Sequence, residues 1–216
     1  MSRSFLEPGL IVLAMLLGCD TQDRLSPTGD LPKLDPKPSC RLRFAQIETN
    51  IPWRIAQTES MKLEAAKRGH QLICTYASGS EAKQISDVDS LMAQRVDASF
   101  IPPRSEKPLA RAVLKAKAAG IPVILLDRGV DMSIAKPVRD YVTFIGSDFV
   151  EEGRMAADWL IEATDGNAKI IQLEGTVGST PSNDRQRGFE ETIVQHAGMQ
   201  IIASQSADFA RDKRVM

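Results

Sequence analysis

Two residues of opposite charge, Asp127 and Arg128, directly follow a run of four apolar residues, Val123–Leu126. This run predicts a strand that is buried on both faces of a parallel sheet. In open α/β sheets, ligands bind beyond the carboxyl ends of the strands. An aspartate and an arginine at such an end offer carboxylate acceptors beside a planar fork of donors, which suits a ligand with many hydroxyl groups. An ordinary strand end, capped by a local ion pair, would contain the same two residues.

Four more side chains follow other predicted strands. Trp53 and Arg54 come after the first strand, Arg185 after the sixth and Phe209 after the seventh. An aromatic ring can stack on the C–H face of a sugar, while charged groups bond the hydroxyls at its rim. Taken singly, the two aromatics fit a packing role and the two arginines fit surface positions. Their shared position at strand ends predicts a small-ligand site.

Strand and helix patterns alternate along the chain from residue 41. Strands are predicted at 41–47, 72–77, 98–101, 123–126, 141–145, 169–173 and 200–204, and helices at 52–68, 82–94, 109–119, 149–163 and 183–196. Pro52 at the start of the first helix and Gly69 just past its end are typical terminal residues. Repeated βα units with short loops require parallel sheets with helices on both faces.

Charge and motif content exclude several classes of function. The chain carries 27 Lys and Arg against 28 Asp and Glu, a net charge of −1 without a basic stripe, which argues against a nucleic-acid partner. His70 and His196 lack ligand-spaced partners, so we expect no metal site. There is no nucleophile elbow or phosphate loop, and Gly175–Gly178 is interpreted as a flexible turn near a ligand. We therefore expect neither an enzyme nor a cofactor.

The N-terminus has the features of an export signal. Arg3 precedes an apolar run, 10–17, which ends in Leu16-Leu17-Gly18-Cys19. A small residue before a cysteine at this point resembles the bacterial lipoprotein cleavage motif. We thus expect a signal peptide over 1–18, a lipid on Cys19 and a proline-rich tether over 19–40. An ordinary secretory signal with an incidental cysteine is the alternative. The sequence leaves open whether Cys40 and Cys74 pair.

Several short segments stand in the same order as in one known family. They are Phe44-Ala45-Gln46, Trp53-Arg54, Gly69, Val96-Asp97-Ala98, Gly120-Ile121-Pro122-Val123, Leu125-Leu126-Asp127-Arg128, Asp158-Trp159-Leu160, Leu173–Gly178, Asp184-Arg185, Gly188-Phe189 and Ser204–Phe209. With these segments the chain resembles the type I periplasmic sugar-binding proteins of bacterial ABC importers, in particular their ribose- and galactofuranose-binding branch.

The resemblance implies an α/β fold of two lobes with parallel, doubly wound sheets, which close on one sugar by a hinge. The N-terminal lobe would span 41–146, with Gly146-Ser147-Asp148 as the first crossing. The C-terminal lobe would begin at 147 and be incomplete, because the chain would be truncated at its C-terminal end relative to the family.

The resemblance also implies a set of sugar-binding residues. The N-terminal lobe would present Trp53, Arg54, Asp127 and Arg128, and the C-terminal lobe Arg185 and Phe209. Asn50 would join them at the position where the galactofuranose branch carries an acid.

Together these features predict a membrane-anchored, periplasmic or cell-surface lipoprotein that captures a galactofuranose- or ribose-like monosaccharide. Its further partners would be an ABC permease and its ATPase. A sugar-sensing input module for a receptor or kinase would have the same sequence. A sugar-responsive transcription regulator would need a helix-turn-helix ahead of residue 41, where the signal and the tether stand instead.

Overall fold

The described residues form two parallel sheets with five helices. A computed structural model describes residues 31–34, 36–90 and 92–210. The strands are β1 (Arg41–Gln46), β2 (Gln71–Tyr76), β3 (Ala98–Ile101), β4 (Val123–Leu126), β5 (Thr143–Ile145), β6 (Asn167–Glu174) and β7 (Gly198–Ser206). The helices are α1 (Pro52–Lys67), α2 (Glu81–Asp89), α3 (Glu106–Ala118), α4 (Phe149–Ala163) and α5 (Thr180–Ile193).

The first sheet has the strand order β2-β1-β3-β4-β5. The chain passes from β1 through α1 to β2 on one side and then returns, so that β3 pairs with the other edge of β1. Ligands of open α/β sheets bind beside such a reversal, at the carboxyl ends of the strands. We call β1 to β5 with α1, α2 and α3 the five-stranded unit.

The core of the five-stranded unit lies mainly between the sheet and two of its helices. Val88 of α2 and Leu109 and Val113 of α3 pack against one face, which includes Val123 and Leu125. Helix α1 contacts the other face at β1 and β2. The sheet therefore carries helices on both faces, as the βα alternation predicts.

Strand β4 is less buried than its apolar run predicts. Val123 and Leu125 are fully buried, but Ile124 and Leu126 on the opposite face are half-buried. The prediction of burial on both faces is wrong, because α1 covers the neighbouring strands β1 and β2 on that face.

The second helix, α2, spans Glu81–Asp89 and is shorter than the predicted range 82–94. It ends at Asp89, where the Ser90 hydroxyl donates to the Asp87 carbonyl oxygen (2.7 Å), and a separate 3₁₀ turn spans Met92–Gln94. Elsewhere no bound shifts by more than three residues, and β3, β4 and α4 lie where they are predicted. The hydroxyl of Ser90 offers the backbone a partner that ends the helix.

Strands β6 and β7 form the second sheet, and α4 and α5 pack on one of its faces. We call these four elements the two-stranded unit. A Cβ on Gly188 would lie 2.0 Å from the Val150 carbonyl oxygen, and one on Gly153 would lie 2.1 Å from that of Arg185. The two glycines therefore allow α4 and α5 to pack in close contact.

The segment before β1 is attached to the five-stranded unit. Lys37 forms an ion pair with Asp97 (2.5 Å), whose carboxylate also accepts from the Arg41 backbone N–H (2.6 Å).

Cys40 and Cys74 are free thiols, so the disulfide left open by the sequence does not form. The predicted signal peptide, Cys19 and most of the tether lie outside the described residues. Among those that are described, no helix is long and apolar enough to span a membrane.

Asp140 fixes the connection between β4 and β5. This carboxylate is 5% exposed and accepts from Lys117 Nζ (3.2 Å), from the Lys136 backbone N–H (2.9 Å) and from Arg139. Burial raises the pKa of Asp140, but these donors outweigh it and bring the pKa to about 2. The connection is thereby tied to the last turn of α3.

We expect Asp140→Asn to lower the free energy of unfolding at pH 7 by about 2 kcal/mol, measured by urea titration. Because folding lowers the pKa, this stabilisation is present above the unfolded pKa near 4 and disappears as the pH falls to about 2. The difference between variant and wild type should vanish over the same range. Asp89→Asn, which breaks a surface pair with Lys115, is the control and should cost about 0.5 kcal/mol or less. Equal effects would contradict the role given to Asp140.

Candidate functional site

A cavity of about 400 Å³ lies between the two units, beyond the carboxyl ends of β1, β4 and β5. Its volume is within the range of small-molecule sites. It is lined by Ile51, Trp53, Arg54, Asp127, Arg128, Ser147, Phe149, Pro181, Arg185 and Phe209. Six of the seven residues predicted for sugar binding therefore surround one cavity.

Asn50 is the residue that the structure places elsewhere. It is exposed in the loop between β1 and α1 and does not line the cavity, although Ile51 next to it does. Because α1 begins only at Pro52, the loop presents the apolar Ile51 rather than the amide of Asn50. The structure therefore does not bring Asn50 together with the other six predicted residues.

Asp127 joins the strand ends to α1. Its Oδ2 accepts from Arg54 Nη2 (2.7 Å) and its Oδ1 accepts from Trp53 Nε1 (3.2 Å). The backbone of Asp127 is left-handed (φ 62°), and its N–H donates to the Ile145 carbonyl oxygen (2.7 Å). An aspartate tolerates this conformation better than most residues. The turn thus directs one carboxylate to two side chains of α1.

Arg54 is a buried cation, and both of its terminal nitrogens have hydrogen-bond partners. It is 2% exposed, and its Nη1 donates to Gln57 Oε1 (2.9 Å) while Nη2 contacts Asp127. Burial lowers the pKa of Arg54, and the negative charge of Asp127 opposes this shift. The carboxylate therefore offsets part of the desolvation of the guanidinium.

Arg128 is equally buried, at 3% exposure, but is less completely bonded. Burial, together with the positive charges of Arg54 and Arg104, lowers its pKa to about 10, so it stays protonated at neutral pH. Its Nη1 donates to the Arg104 carbonyl oxygen (3.4 Å). Its Nε has no hydrogen-bond partner among the described residues, although Asp127 Oδ2 lies 3.9 Å away. Arg128 therefore keeps a donor that no described protein group uses.

Phe209 brings an aromatic ring from the two-stranded unit to Arg128. The guanidinium carbon lies 5.5 Å from the centre of the ring, within the range of a cation–π contact. The ring packs over Gly175, where an added Cβ would come within 1.9 Å of it. The turn at Gly175 was predicted to lie near a ligand, and the structure shows that it makes room for the aromatic wall of the cavity.

Arg185 contributes from the opposite wall of the cavity. Its Nε donates to Glu152 Oε2 (2.7 Å), and its guanidinium lies over the ring of Phe149, 4.7 Å from the centre. Both partners belong to α4. The side chain is thus oriented by two contacts within its own unit.

Sequence reasoning missed several residues around the cavity. Ile51, Ser147, Phe149 and Pro181 line it, and Arg104 lies behind Arg128. Arg104 forms ion pairs with Glu48 (3.7 Å) and with Asp208 of the other unit (3.8 Å). The two prolines before Arg104 mark the end of β3, and its place at a strand end is the signal that could have revealed it.

The cavity combines an exposed aromatic side chain with buried, hydrogen-bonded charged groups. Trp53 is 61% exposed, whereas the two arginines beside it are almost fully buried. Within the described residues, no group of three or more His, Cys, Asp or Glu could hold a metal ion. A site of this composition can stack against a flat ligand and offer it charged hydrogen-bonding groups.

A sequence profile of the periplasmic binding protein domain matches residues 44–214. The chain belongs to the periplasmic binding protein family. The match covers both units except the first three residues of β1, and it includes all six predicted residues that line the cavity. In keeping with this family, the fold has two lobes with parallel sheets, and the five-stranded and two-stranded units are the parts of those lobes that the structure describes.

Individual relatives of this periplasmic binding protein are named for sugars. The galactofuranose-binding protein YtfQ of Escherichia coli is 39% identical over 171 residues, which are 79% of this chain and 53% of the relative. The arabinose-transporter binding protein of Shewanella sp. ANA-3, solved with L-arabinofuranose, is 37% identical (TM-score 0.70; 79% of this chain and 56% of that chain). A Mycobacterium smegmatis protein, solved with β-D-fucofuranose, is 41% identical (TM-score 0.72; 80% and 57%). The chain thus spans about half the length of the relatives it matches.

We expect Asp127→Asn to lower the free energy of unfolding by about 3 kcal/mol, because it leaves the Arg54 charge buried without its counter-charge. Urea unfolding at neutral pH measures this change. Glu59→Gln, on the helix that carries Arg54, is the control. It breaks only a surface pair with Lys62 and should cost less than about 1 kcal/mol. A loss in Asp127→Asn as small as in the control would contradict the coupling of Arg54 to Asp127.

Proposed function

We propose that this protein binds a monosaccharide in its furanose form, in the cavity between the two units. The observation that carries the proposal is the carboxylate of Asp127, which accepts hydrogen bonds from Trp53 and Arg54 and lines the same cavity as the aromatic ring of Phe209. The cavity brings aromatic side chains, a carboxylate and two buried guanidinium groups together.

Each of these groups has a defined role in the proposed site. The bond from Trp53 Nε1 to Asp127 fixes the indole plane, so that its exposed face can stack on the C–H face of a sugar ring. Asp127 keeps lone pairs for sugar hydroxyls, since each of its oxygens accepts one bond in the structure. The guanidinium groups of Arg128 and Arg185, which both line the cavity, supply the complementary donors.

Three of the relatives are named for or solved with sugars in the furanose form, and these support the choice of a furanose. Galactofuranose, L-arabinofuranose and β-D-fucofuranose are the sugars named for the three relatives. These sugars share a five-membered ring and differ in the groups attached to it. We therefore propose the furanose ring as the common element that Trp53 and Phe209 recognise.

We further propose that the protein captures its sugar for an ABC permease and ATPase, without chemistry of its own. The Shewanella relative, described as part of an arabinose ABC transporter, supports this role. The sequence around Cys19 supports export and a lipid anchor, with residues 1–18 as the signal and 19–40 as the tether. The proposed lobes are 41–146 and 147–216.

Tryptophan fluorescence offers a direct test, because the chain has only two tryptophans. Trp159 lies on α4, is 68% exposed and does not line the cavity. In a Trp159→Phe variant, Trp53 is the single reporter. We expect titration with L-arabinose or galactose, which form the corresponding furanoses in solution, to change the emission of Trp53 until the change reaches a plateau. A sugar panel that leaves the emission unchanged would overturn the proposal.

Calorimetric titration of two matched variants tests the role of the indole ring. We expect Trp53→Leu to weaken binding by at least about tenfold, because it removes the exposed aromatic face beside Asp127. Trp159→Leu removes an equally exposed indole outside the cavity and should leave the affinity unchanged. Binding that is insensitive to Trp53→Leu would place the sugar elsewhere.

A further inference from the structure

The two units also touch outside the cavity, through three direct hydrogen bonds. The backbone N–H of Glu106 donates to the Gly178 carbonyl oxygen (2.9 Å), and Asn183 Nδ2 donates to Glu106 Oε1 (2.8 Å). The backbone N–H of Gly129 donates to Thr180 Oγ1 (2.9 Å). We call these five residues the clasp.

One of these bonds satisfies a donor that its own helix leaves without a partner. Glu106 is the first residue of α3, and the first N–H groups of a helix have no intrahelical acceptor. Here the acceptor belongs to the other unit. The Glu106 amide therefore depends on the contact between the units for its hydrogen bond within the protein.

The clasp is joined to the cavity through the backbone on both sides. Gly129 directly follows Arg128, and Thr180 directly precedes Pro181, and both neighbours line the cavity. The separation of Gly129 and Thr180 therefore sets the distance between two walls of the cavity. None of the five clasp residues lines the cavity itself.

We propose that the clasp holds the two units together independently of the sugar, and that Glu106, Thr180 and Asn183 are positioning residues for the sugar site. The effect on sugar affinity rests on the proposed function, whereas the contact that the clasp makes between the two units does not. A ligand that binds only the closed arrangement has an apparent affinity scaled by the fraction of closed molecules. Loss of one clasp bond should weaken sugar binding by about fivefold, without any change in the residues that line the cavity.

Hydrogen exchange of two backbone amides, followed by NMR without sugar, tests the contact itself. We expect the Glu106 and Gly129 amides to be protected in the wild type, since both donate across the units. Asn183→Asp places a second carboxylate against Glu106 and should raise the exchange rate of the Glu106 amide. Thr180→Val removes the acceptor of the Gly129 amide and should raise its exchange rate.

A reciprocal change separates the clasp from general damage to the fold. In the double variant Asn183→Asp with Glu106→Gln, the carboxamide introduced at 106 donates to the carboxylate introduced at 183, so protection and affinity should return. Glu106→Gln alone keeps an acceptor for Asn183 and is the reference from which the effect of the double variant is measured. Asn167→Asp adds the same charge at the start of β6, away from the clasp, and should change neither readout.

The outcomes distinguish the two proposals. Amides that are protected only when sugar is added would overturn the clasp, as would unchanged exchange and affinity in Asn183→Asp. Failure of the double variant to recover would overturn the bond between Asn183 and Glu106. If no sugar binds but the amides are protected and Asn183→Asp exposes the Glu106 amide, the clasp stands and the proposed function fails.

Discussion

The ion pair between Arg54 and Asp127 is the constraint on which the rest of the site depends. A guanidinium that is 2% exposed requires a counter-charge, and Asp127 supplies it from the end of β4. To reach Arg54, the backbone of Asp127 adopts a left-handed turn, which β5 stabilises through the Ile145 carbonyl. The same turn sets the position of Arg128, and the second carboxylate oxygen holds the indole of Trp53. One buried charge thus orders three of the residues that line the cavity.

The opposite wall of the cavity is assembled from contacts that are distant in sequence. Phe209 depends on the absence of a side chain at Gly175, and Arg185 is oriented by two residues of α4. Arg104 then links the units, since it pairs with Glu48 on one side and with Asp208 on the other. Neither unit forms the cavity by itself, so its shape depends on how the two are held together.

The sequence predicts the site well where position along a strand decides it, and poorly where tertiary contacts do. Strand β4 and helix α4 lie at their predicted bounds, because apolar runs and caps are local signals. Six predicted residues surround the cavity, because parallel strands end at one edge of a sheet. Asn50, the seventh, does not line the cavity, because it lies in the loop before α1, where Ile51 faces the cavity instead. Arg104 follows the end of β3, but its link between the units could not be predicted, because its partners Glu48 and Asp208 are distant in sequence.

The attachment of the N-terminal segment has a mechanical consequence. Lys37 and the start of β1 are tied to Asp97, at the amino edge of the sheet, whereas the cavity lies at the carboxyl edge. A β1 strand of six residues separates the two edges by about 20 Å. A tension applied to the chain ahead of residue 31 would therefore load Asp97 and the strand starts, and would not pull the mouth of the cavity open. A load on this segment is thus borne at the edge of the sheet opposite the cavity.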